Sequence, residues 1–278
     1  MIVSVASGKG GTGKTTVAVN LAVSIKNVQI IDCDVEEPND HILLKPEIIE
    51  EKPVYSLKPK ILEDLCDHCG LCAKLCQYNA IFVTPNKVLT FPELCHSCGL
   101  CSLACPKGAI REERIQIGVV RRGLAGNIEV AYGELTVGEP MAEPIIREVK
   151  RWIKPDRTVI VDSPPGASCS AVASVYGSDF GILVTEPTPF GLHDLKIAVE
   201  VLRGLNIPLG VVVNKAGIGD RNVYKFCEEE GIPIMLEIPF SRRIAELYSK
   251  GIPFALKMEG WKEKFRDLIR DVEEILKG

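Results

Sequence analysis

The residues Gly8-Lys-Gly-Gly-Thr-Gly-Lys-Thr-Thr16 follow directly on a short apolar segment, residues 2–6, that has the character of a buried strand. Glycines at these positions allow consecutive backbone N–H groups to turn toward one point, and a helix beginning near Lys14 directs its positive N-terminal end to the same place. The segment fits the pattern G-x-x-x-x-G-K-[ST], in which such a loop holds phosphate oxygens between a strand and a helix. The sequence therefore predicts a nucleotide-binding α/β domain.

Individual residues of this loop have predicted roles. The phosphate contacts are expected from Gly8, Lys9, Gly10, Gly11, Thr12, Gly13, Lys14, Thr15 and Thr16. Lys14 would reach the β- and γ-phosphates, and the Thr15 hydroxyl would bind Mg²⁺. The later segment Asn214-Lys-Ala-Gly217 lacks the aspartate that would read guanine, so we expect ATP, with Asn214 and the backbone near Pro239 at the adenine.

Composition and charge narrow the function classes. Of 278 residues, 46% are hydrophobic and 25% are charged, which is typical of a globular protein. The net charge of −4 gives no general electrostatic reason to expect nucleic-acid binding. The chain enters a strand at once, without a basic leader or a long apolar segment, so we expect a cytoplasmic protein and no membrane association.

Eight of the eleven cysteines form two repeated groups. The groups are Cys66, Cys69, Cys72 and Cys76, and Cys95, Cys98, Cys101 and Cys105. Every member of the first group recurs 29 residues later in the second, as do the intervening glycine and leucine, which indicates an internal duplication. In an intracellular chain, such clusters favour metal binding over disulfides.

The spacing C-x₂-C-x₂-C-x₃-C favours iron–sulfur clusters, because structural zinc sites usually combine a C-x₂-C pair with a distant second pair. In this pattern the fourth cysteine ligates the other cluster. One [4Fe–4S] cluster is thus expected on Cys66, Cys69, Cys72 and Cys105, and the other on Cys95, Cys98, Cys101 and Cys76. Zinc is the alternative. Residues 59–113 resemble the bacterial two-cluster ferredoxins, with Gln77 where proline usually follows the fourth cysteine, and His68 and His96 are expected to be surface loop residues.

Four further apolar segments read as buried parallel strands, and helical patterns lie between them. The strands are expected at 28–31, 158–161, 180–184 and 209–213, and the helices near 15–25, 142–152, 192–203, 222–229 and 242–249. We therefore predict a doubly wound P-loop α/β domain formed by residues 1–57 and 114–278. A small α+β ferredoxin-type domain with two clusters would be inserted at 58–113.

Several motifs together resemble the MinD/ParA/nitrogenase-iron-protein class of P-loop ATPases. They are Lys9 within the phosphate loop, Asp32-x-Asp34-x-x-x-Pro38-Asn39, Asp162-Ser-Pro-Pro-Gly166, Thr185-Glu-Pro-Thr188 and Ile238-Pro-Phe240. The whole chain is similar to members of this class that contain an inserted ferredoxin domain. The resemblance implies a homodimer in which Lys9 crosses to the partner's nucleotide.

By the same resemblance, Asp34 polarises the attacking water and Asp162 holds the Mg²⁺ shell. Lys9, Lys14 and Asp34 are thus the expected catalytic residues, with Thr15 and Asp162 at the metal. The alternative for Asp34 and for Asp162 is a strand-end aspartate that caps a turn.

The remaining cysteines and the C-terminal helix have simpler interpretations. Cys33 and Cys227 are expected to be buried, whereas Cys169 stands where the nitrogenase iron protein has a ligand for a dimer-bridging cluster, so a redox role and simple packing remain open. The apolar face that begins at Trp261 is expected to pack in the core, because the polar face mixes both charge signs and a membrane helix favours a cationic one.

Three functions fit this sequence. The first is an ATPase whose nucleotide state gates electron transfer through iron–sulfur centres or the assembly of such centres, with a redox partner. The second is an iron–sulfur scaffold or carrier that serves an apo-protein client. The third is a positioning ATPase in which the clusters are structural or sensory.

Overall fold

The strands and helices alternate along most of the chain, as expected of a doubly wound fold. The computed structural model describes residues 1–277. The strands are β1 (Ile2–Ala6), β2 (Val28–Asp32), β3 (Glu47–Ile61), β4 (Ile81–Val83), β5 (Val88–Thr90), β6 (Ile110–Ala125), β7 (Ile128–Leu135), β8 (Thr158–Asp162), β9 (Phe180–Thr185), β10 (Leu209–Ala216) and β11 (Ile234–Pro239). The α-helices are α1 (Lys14–Ala22), α2 (Asp40–Leu44), α3 (Leu71–Leu75), α4 (Leu100–Ala104), α5 (Glu143–Lys150), α6 (Cys169–Val175), α7 (Pro189–Gly204), α8 (Asn222–Glu229), α9 (Arg242–Ser249) and α10 (Trp261–Ile275).

One sheet joins most of these strands, in the order β11-β10-β9-β1-β8-β2-β7-β6-β3. The pairs from β11 to β7 are parallel, and the last two pairs are antiparallel. Strand β1 lies between β8 and β9, so the chain crosses from it to both sides of the sheet. Ligands of such sheets bind beyond the carboxyl ends of the strands at this switch point. The glycine-rich loop begins there.

Helices cover both faces of the sheet, because the parallel strands are apolar on both sides. In β9, for example, Ile182 packs with α1 and α10 on one face, and Leu183 packs with α7 and α8 on the other. Helix α5 covers a third cluster on β2, β7 and β8. The predicted parallel α/β architecture is therefore confirmed.

Strands β3 and β6 form a long antiparallel ribbon at the edge of the sheet. Residues 118–125 of β6 also pair with β7, whereas the segment 110–117 pairs with β3 alone and extends beyond β7. The cysteine-rich segment lies at the far end of the ribbon, after the pair Ile61–Ile110. The predicted domain boundaries fall inside this ribbon, where Lys58 pairs with Glu113.

The cysteine-rich segment repeats its structure as well as its sequence. Helices α3 and α4 begin 29 residues apart, each preceded by a glycine with positive φ, Gly70 at 76° and Gly99 at 74°. The residues two positions before these glycines, His68 and Ser97, have φ of 57° and 55°. Each repeat thus holds its cysteines on a loop of the same backbone conformation.

The C-terminal helix packs its apolar face in the core, as predicted. Trp261, Phe265 and Leu268 are buried, and they join α1 in the cluster on that face of the sheet. In the part of the chain that the structure describes, none of the helices has the length and apolar character needed to cross a membrane.

Candidate nucleotide site and cysteine centres

The glycine-rich loop wraps the start of α1 at the carboxyl edge of the sheet. Gly11 and Gly13 have φ of 77° and 94°, which L side chains rarely adopt. A Cβ at Gly13 would lie 2.3 Å from Nδ2 of Asn214, and that amide donates a 2.7 Å hydrogen bond to the Thr12 carbonyl. Asn214, which is predicted to contact adenine, thus also stabilises the conformation of the glycine-rich loop.

An open cleft lies in front of this loop. Its walls include Gly10, Gly11, Gly13, Lys14, Thr15, Thr16, Asp34, Asn214, Lys215, Pro239 and Phe240. The structure therefore brings the predicted phosphate, water-positioning and adenine residues to one cleft. Gly8 and Thr12 lie behind it, since Thr12 is buried and a Cβ at Gly8 would collide with the backbone of Asp194.

Acidic side chains from neighbouring strands meet beneath the cleft. Asp162 ends β8, and its Oδ2 accepts a 2.6 Å hydrogen bond from the Thr15 hydroxyl. Asp32 ends the adjacent strand β2, opposite Asp162 in the register. Asp32 accepts hydrogen bonds from the backbone N–H groups of Asp34 and Asn39, at 3.0 and 2.9 Å, so it fixes the loop that carries Asp34.

The burial of these carboxyls makes them harder to ionise. Burial raises the pKa of Asp34 to about 6, with the Lys14 ammonium opposing the shift, and raises that of Asp162 to about 7 against the Thr15 hydrogen bond. Burial also lowers the pKa of Lys14, and Asp162 and Asp34 oppose that shift. The site thus contains more buried acidic groups than Lys14 alone can neutralise. A divalent cation bound together with the phosphates would balance them.

Lys9 is held at the side of the loop by Glu186, which follows β9. The Lys9 ammonium lies 3.8 Å from one Glu186 carboxylate oxygen, and the other oxygen accepts a hydrogen bond from Lys215. Sequence reasoning did not assign a role to Glu186. A signal was available, because a charged residue after a buried strand lies at the ligand edge of the sheet.

Each of the two cysteine centres forms around its own cavity. The first cavity is lined by Cys66, Cys69, Cys72 and Cys105, and the second by Cys95, Cys98, Cys101 and Cys76. The structure thus groups three cysteines of one repeat with the fourth of the other, in the same sets that the spacing predicts. Cys69 and Cys98 are exposed and the other six are half-buried.

Backbone N–H groups point at several of these sulfurs. Ala80 N–H donates to Cys76 Sγ and Ala109 N–H to Cys105 Sγ, both at 3.3 Å, and Ser97 N–H donates to Cys95 Sγ at 3.4 Å. Hydrogen bonds to the ligand sulfurs are among the interactions that set the reduction potential of an iron–sulfur cluster when it is bound.

Three further side chains lie at the second centre. His96 stacks on Tyr78, with the ring centroids 3.6 Å apart, and both residues line its cavity. Lys58 of the ribbon is 3% exposed and donates to the carbonyls of Pro92 and Cys95, at 2.8 and 2.9 Å. Sequence analysis overlooked Lys58, because a lysine in a charged segment gives no sign of burial.

The other cysteines lie elsewhere. Cys33 and Cys227 are buried as expected, and burial raises the pKa of both thiols, that of Cys227 to about 11. Cys169 is exposed in a groove between α5 and α6 that Arg147 and Arg151 also line. The two interpretations of Cys169 both stay open.

Comparison with known families decides the class of the domain. The family described as the CobQ/CobB/MinD/ParA nucleotide binding domain matches residues 3–254. The chain belongs to this family. Its members bind nucleotide, and the P-loop lies within the match.

Individual relatives agree with this assignment. An uncharacterized protein of Methanocaldococcus jannaschii is 33% identical, over 99% of this chain and 96% of its own length. A protein named iron-sulfur cluster carrier protein in Pyrococcus abyssi is 27% identical, over 91% of this chain and 79% of its own. Among solved structures, the septum site-determining protein MinD of Pyrococcus horikoshii, complexed with Mg-ADP, superposes with a TM-score of 0.61 at 21% identity, covering 99% of this chain and 96% of that one.

Proposed function

We propose that this chain is an ATPase with two resident [4Fe–4S] clusters, and that its nucleotide state controls electron transfer through them. The observation that carries this proposal is the pair of cavities, each surrounded by four thiols, at the end of a ribbon that extends past the carboxyl edge of the sheet, the edge where the nucleotide cleft lies. Family membership supports the ATPase part.

The cysteine cavities suit cubane clusters better than zinc ions. Four thiolates that bind one zinc ion at about 2.3 Å close tightly around it. Among residues 1–277, no three of these cysteine sulfurs lie within 4.8 Å of one another, so they are spaced more widely than thiolates on one zinc ion. When bound, such clusters supply one-electron redox chemistry. The chain contributes the four thiols of each set and the N–H donors beside them.

In the cleft, the chain's own residues would perform the steps of phosphoryl transfer. The loop amides and Lys14 bind the phosphates, while Thr15 and Asp162 hold the cation that neutralises charge when it is bound. Asp34 lines the cleft and would orient the attacking water as a carboxylate. Lys9 would leave Glu186 to reach the nucleotide of a second copy in a homodimer.

The proposal is tested on protein purified without oxygen. We expect about eight iron atoms per chain, with matching sulfide, and ATP hydrolysis that requires Mg²⁺. Hydrolysis should change when the clusters are reduced with dithionite. Zinc in place of iron, or no hydrolysis in either redox state, would contradict the proposal.

An iron–sulfur carrier is the second candidate. Relatives that are named iron-sulfur cluster carrier proteins favour it, and exposed Cys69 and Cys98 leave each centre open to solvent. A carrier should lose a cluster to an apo-ferredoxin client within minutes when ATP is added. Retention of all the iron through such an incubation favours the redox function.

A further inference from the structure

Three carboxylates come together in the core beneath the nucleotide cleft. Asp32 ends β2, Asp162 ends β8 and Asp40 is the first residue of α2. One oxygen of each lies within 4.8 Å of the other two. The exposed fractions are 1% for Asp32, 0% for Asp40 and 1% for Asp162.

The protein supplies hydrogen bonds to only part of this group. Asp32 accepts three backbone N–H bonds, and Asp162 Oδ2 accepts the Thr15 hydroxyl. Within residues 1–277, Asp162 Oδ1 and both oxygens of Asp40 have no hydrogen-bond partner although they are buried. Buried polar atoms are nearly always partnered, so Asp40 in particular lacks the group that balances it.

The charge of the group is also unbalanced. Lys14 is the cation that acts on Asp162 and, more weakly, on Asp34 and Asp32. The groups that act on Asp40 are the carboxylates of Asp32, Asp162 and Asp34. A single lysine thus faces four carboxylates, and phosphates would compete for its ammonium.

We propose that Asp32, Asp40 and Asp162 form a divalent-cation site that fills in the absence of nucleotide. Carboxylate oxygens are the ligands that Mg²⁺, Mn²⁺ and Ca²⁺ take in proteins, and a bound cation would satisfy the oxygens that the chain leaves without partners. The site shares Asp162 with the expected nucleotide-bound Mg²⁺, but that ion also needs phosphate oxygens and Thr15, whereas the proposed site uses Asp32 and Asp40. By binding Asp40, the cation would fix the start of α2 against the ends of β2 and β8.

The site is tested by titrating Mn²⁺ into nucleotide-free protein whose clusters are intact and oxidised, a diamagnetic state that leaves the Mn²⁺ EPR signal clear. We expect about one Mn²⁺ bound per wild-type chain, with Mg²⁺ competing for it. Asp40→Asn, which keeps the shape and removes the charge, should weaken this binding about tenfold or more. Asp156→Asn, a change at an exposed aspartate, is the matched control and should bind as wild type does.

Thermal unfolding gives an independent readout. Mg²⁺ should raise the melting temperature of the wild type with increasing concentration, because it binds the folded state, and should leave that of Asp40→Asn unchanged. If the wild type binds Mn²⁺ only after ADP is added, or if Asp40→Asn binds as the wild type does, the proposed site is wrong. Absence of Mn²⁺ binding by the nucleotide-free wild type would overturn the proposal even if Asp40→Asn fails to fold. Because no ATP is hydrolysed, either result leaves the proposed ATPase untouched.

Discussion

In the proposed pair of iron–sulfur clusters, single cysteines would decide which of the two clusters is retained. Cys105 belongs to the second repeat in sequence but lines the cavity of the first. We expect Cys105→Ser to lose the centre of Cys66, Cys69 and Cys72, leaving about half of the iron, because one ligand of a cubane is missing. Iron analysis and EPR of the reduced protein measure this.

The reciprocal change completes the test. Cys76→Ser should remove the other centre, so the two variants should lack different EPR signals. Cys227→Ala, at a buried thiol far from both sets along the chain, is the control and should keep all the iron. Loss of the same signal in both cysteine-to-serine variants would contradict the crossed ligation.

A substitution at Lys9 should distinguish the residues that bind nucleotide from those needed for its hydrolysis. Lys9 contacts Glu186 and does not line the cleft, so Lys9→Ala should bind nucleotide about as tightly as the wild type while losing hydrolysis. Isothermal titration with ATP analogues and a phosphate-release assay measure the two properties. A large loss of affinity in Lys9→Ala would place Lys9 in the ground-state phosphate site instead.

The acidity of Asp34 predicts a pH profile. Burial raises its pKa to about 6, so the carboxylate that we propose orients the attacking water is lost as the pH falls through that value. We expect kcat/KM for ATP, which reports groups of the free enzyme, to fall on the acid side near pH 6. If kcat/KM for ATP stays constant down to pH 5, Asp34 is not the water-positioning group. A normal rate of hydrolysis in Asp34→Ala would lead to the same conclusion.

At the level of elements, the parallel strands could be predicted and the ribbon could not. Strands such as β9 are continuous apolar segments, because both faces are covered. Strand β3 contains Pro53 and Pro59 among charged residues, a pattern that argues against a central strand. It is tolerated because β3 is the edge of the sheet.

The residues of the candidate sites also fall into two groups, those that the sequence predicts and those that it does not. Residues that belong to a motif, such as Thr15 and the eight cysteines, could be predicted from spacing alone. Glu186 and Asp40 contact the site only because distant segments meet, and Asp40 lies one residue beyond the motif at Asp32–Asn39. Their contacts depend on tertiary structure that no local pattern contains.

The ribbon makes one cysteine loop depend on a buried lysine. Lys58→Met removes the donors to the carbonyls of Pro92 and Cys95, and each loss should cost about 1–3 kcal/mol locally. We expect the centre of Cys95, Cys98 and Cys101 to lose iron faster to a chelator, with the first centre unchanged. Lys60→Met is the matched control, because Lys60 is two residues along the same strand and its ion pair with Glu113 is exposed. Equal rates in both variants would show that Lys58 does not hold the loop.

At the scale of the whole molecule, the two connections of the ribbon to the nucleotide site are unequal. Helix α2 ends at Leu44 and β3 begins at Glu47, so two residues join the ribbon to α2, the short helix that follows the loop carrying Asp34. The other connection passes through β7 and α5 before it reaches Asp162. If nucleotide binding moves the Asp34 loop, the short connection is the route by which the cysteine centres would respond.

That route predicts coupling between nucleotide and redox potential. Linkage requires that ATP shift the cluster potential by the same free energy with which reduction shifts ATP affinity. A typical coupling of about 1–3 kcal/mol corresponds, at about 59 mV per tenfold change, to a shift large enough for a redox titration with and without a non-hydrolysable ATP analogue. Two residues, Gly-Ser, inserted between Lys45 and Pro46 should abolish the shift, because they loosen the short connection. The same insertion in the turn at Gly126–Asn127, between β6 and β7, is the control and should preserve it. Identical midpoint potentials with and without the analogue in the wild type would contradict gating, and the ribbon would then be a tether for an uncoupled pair of clusters.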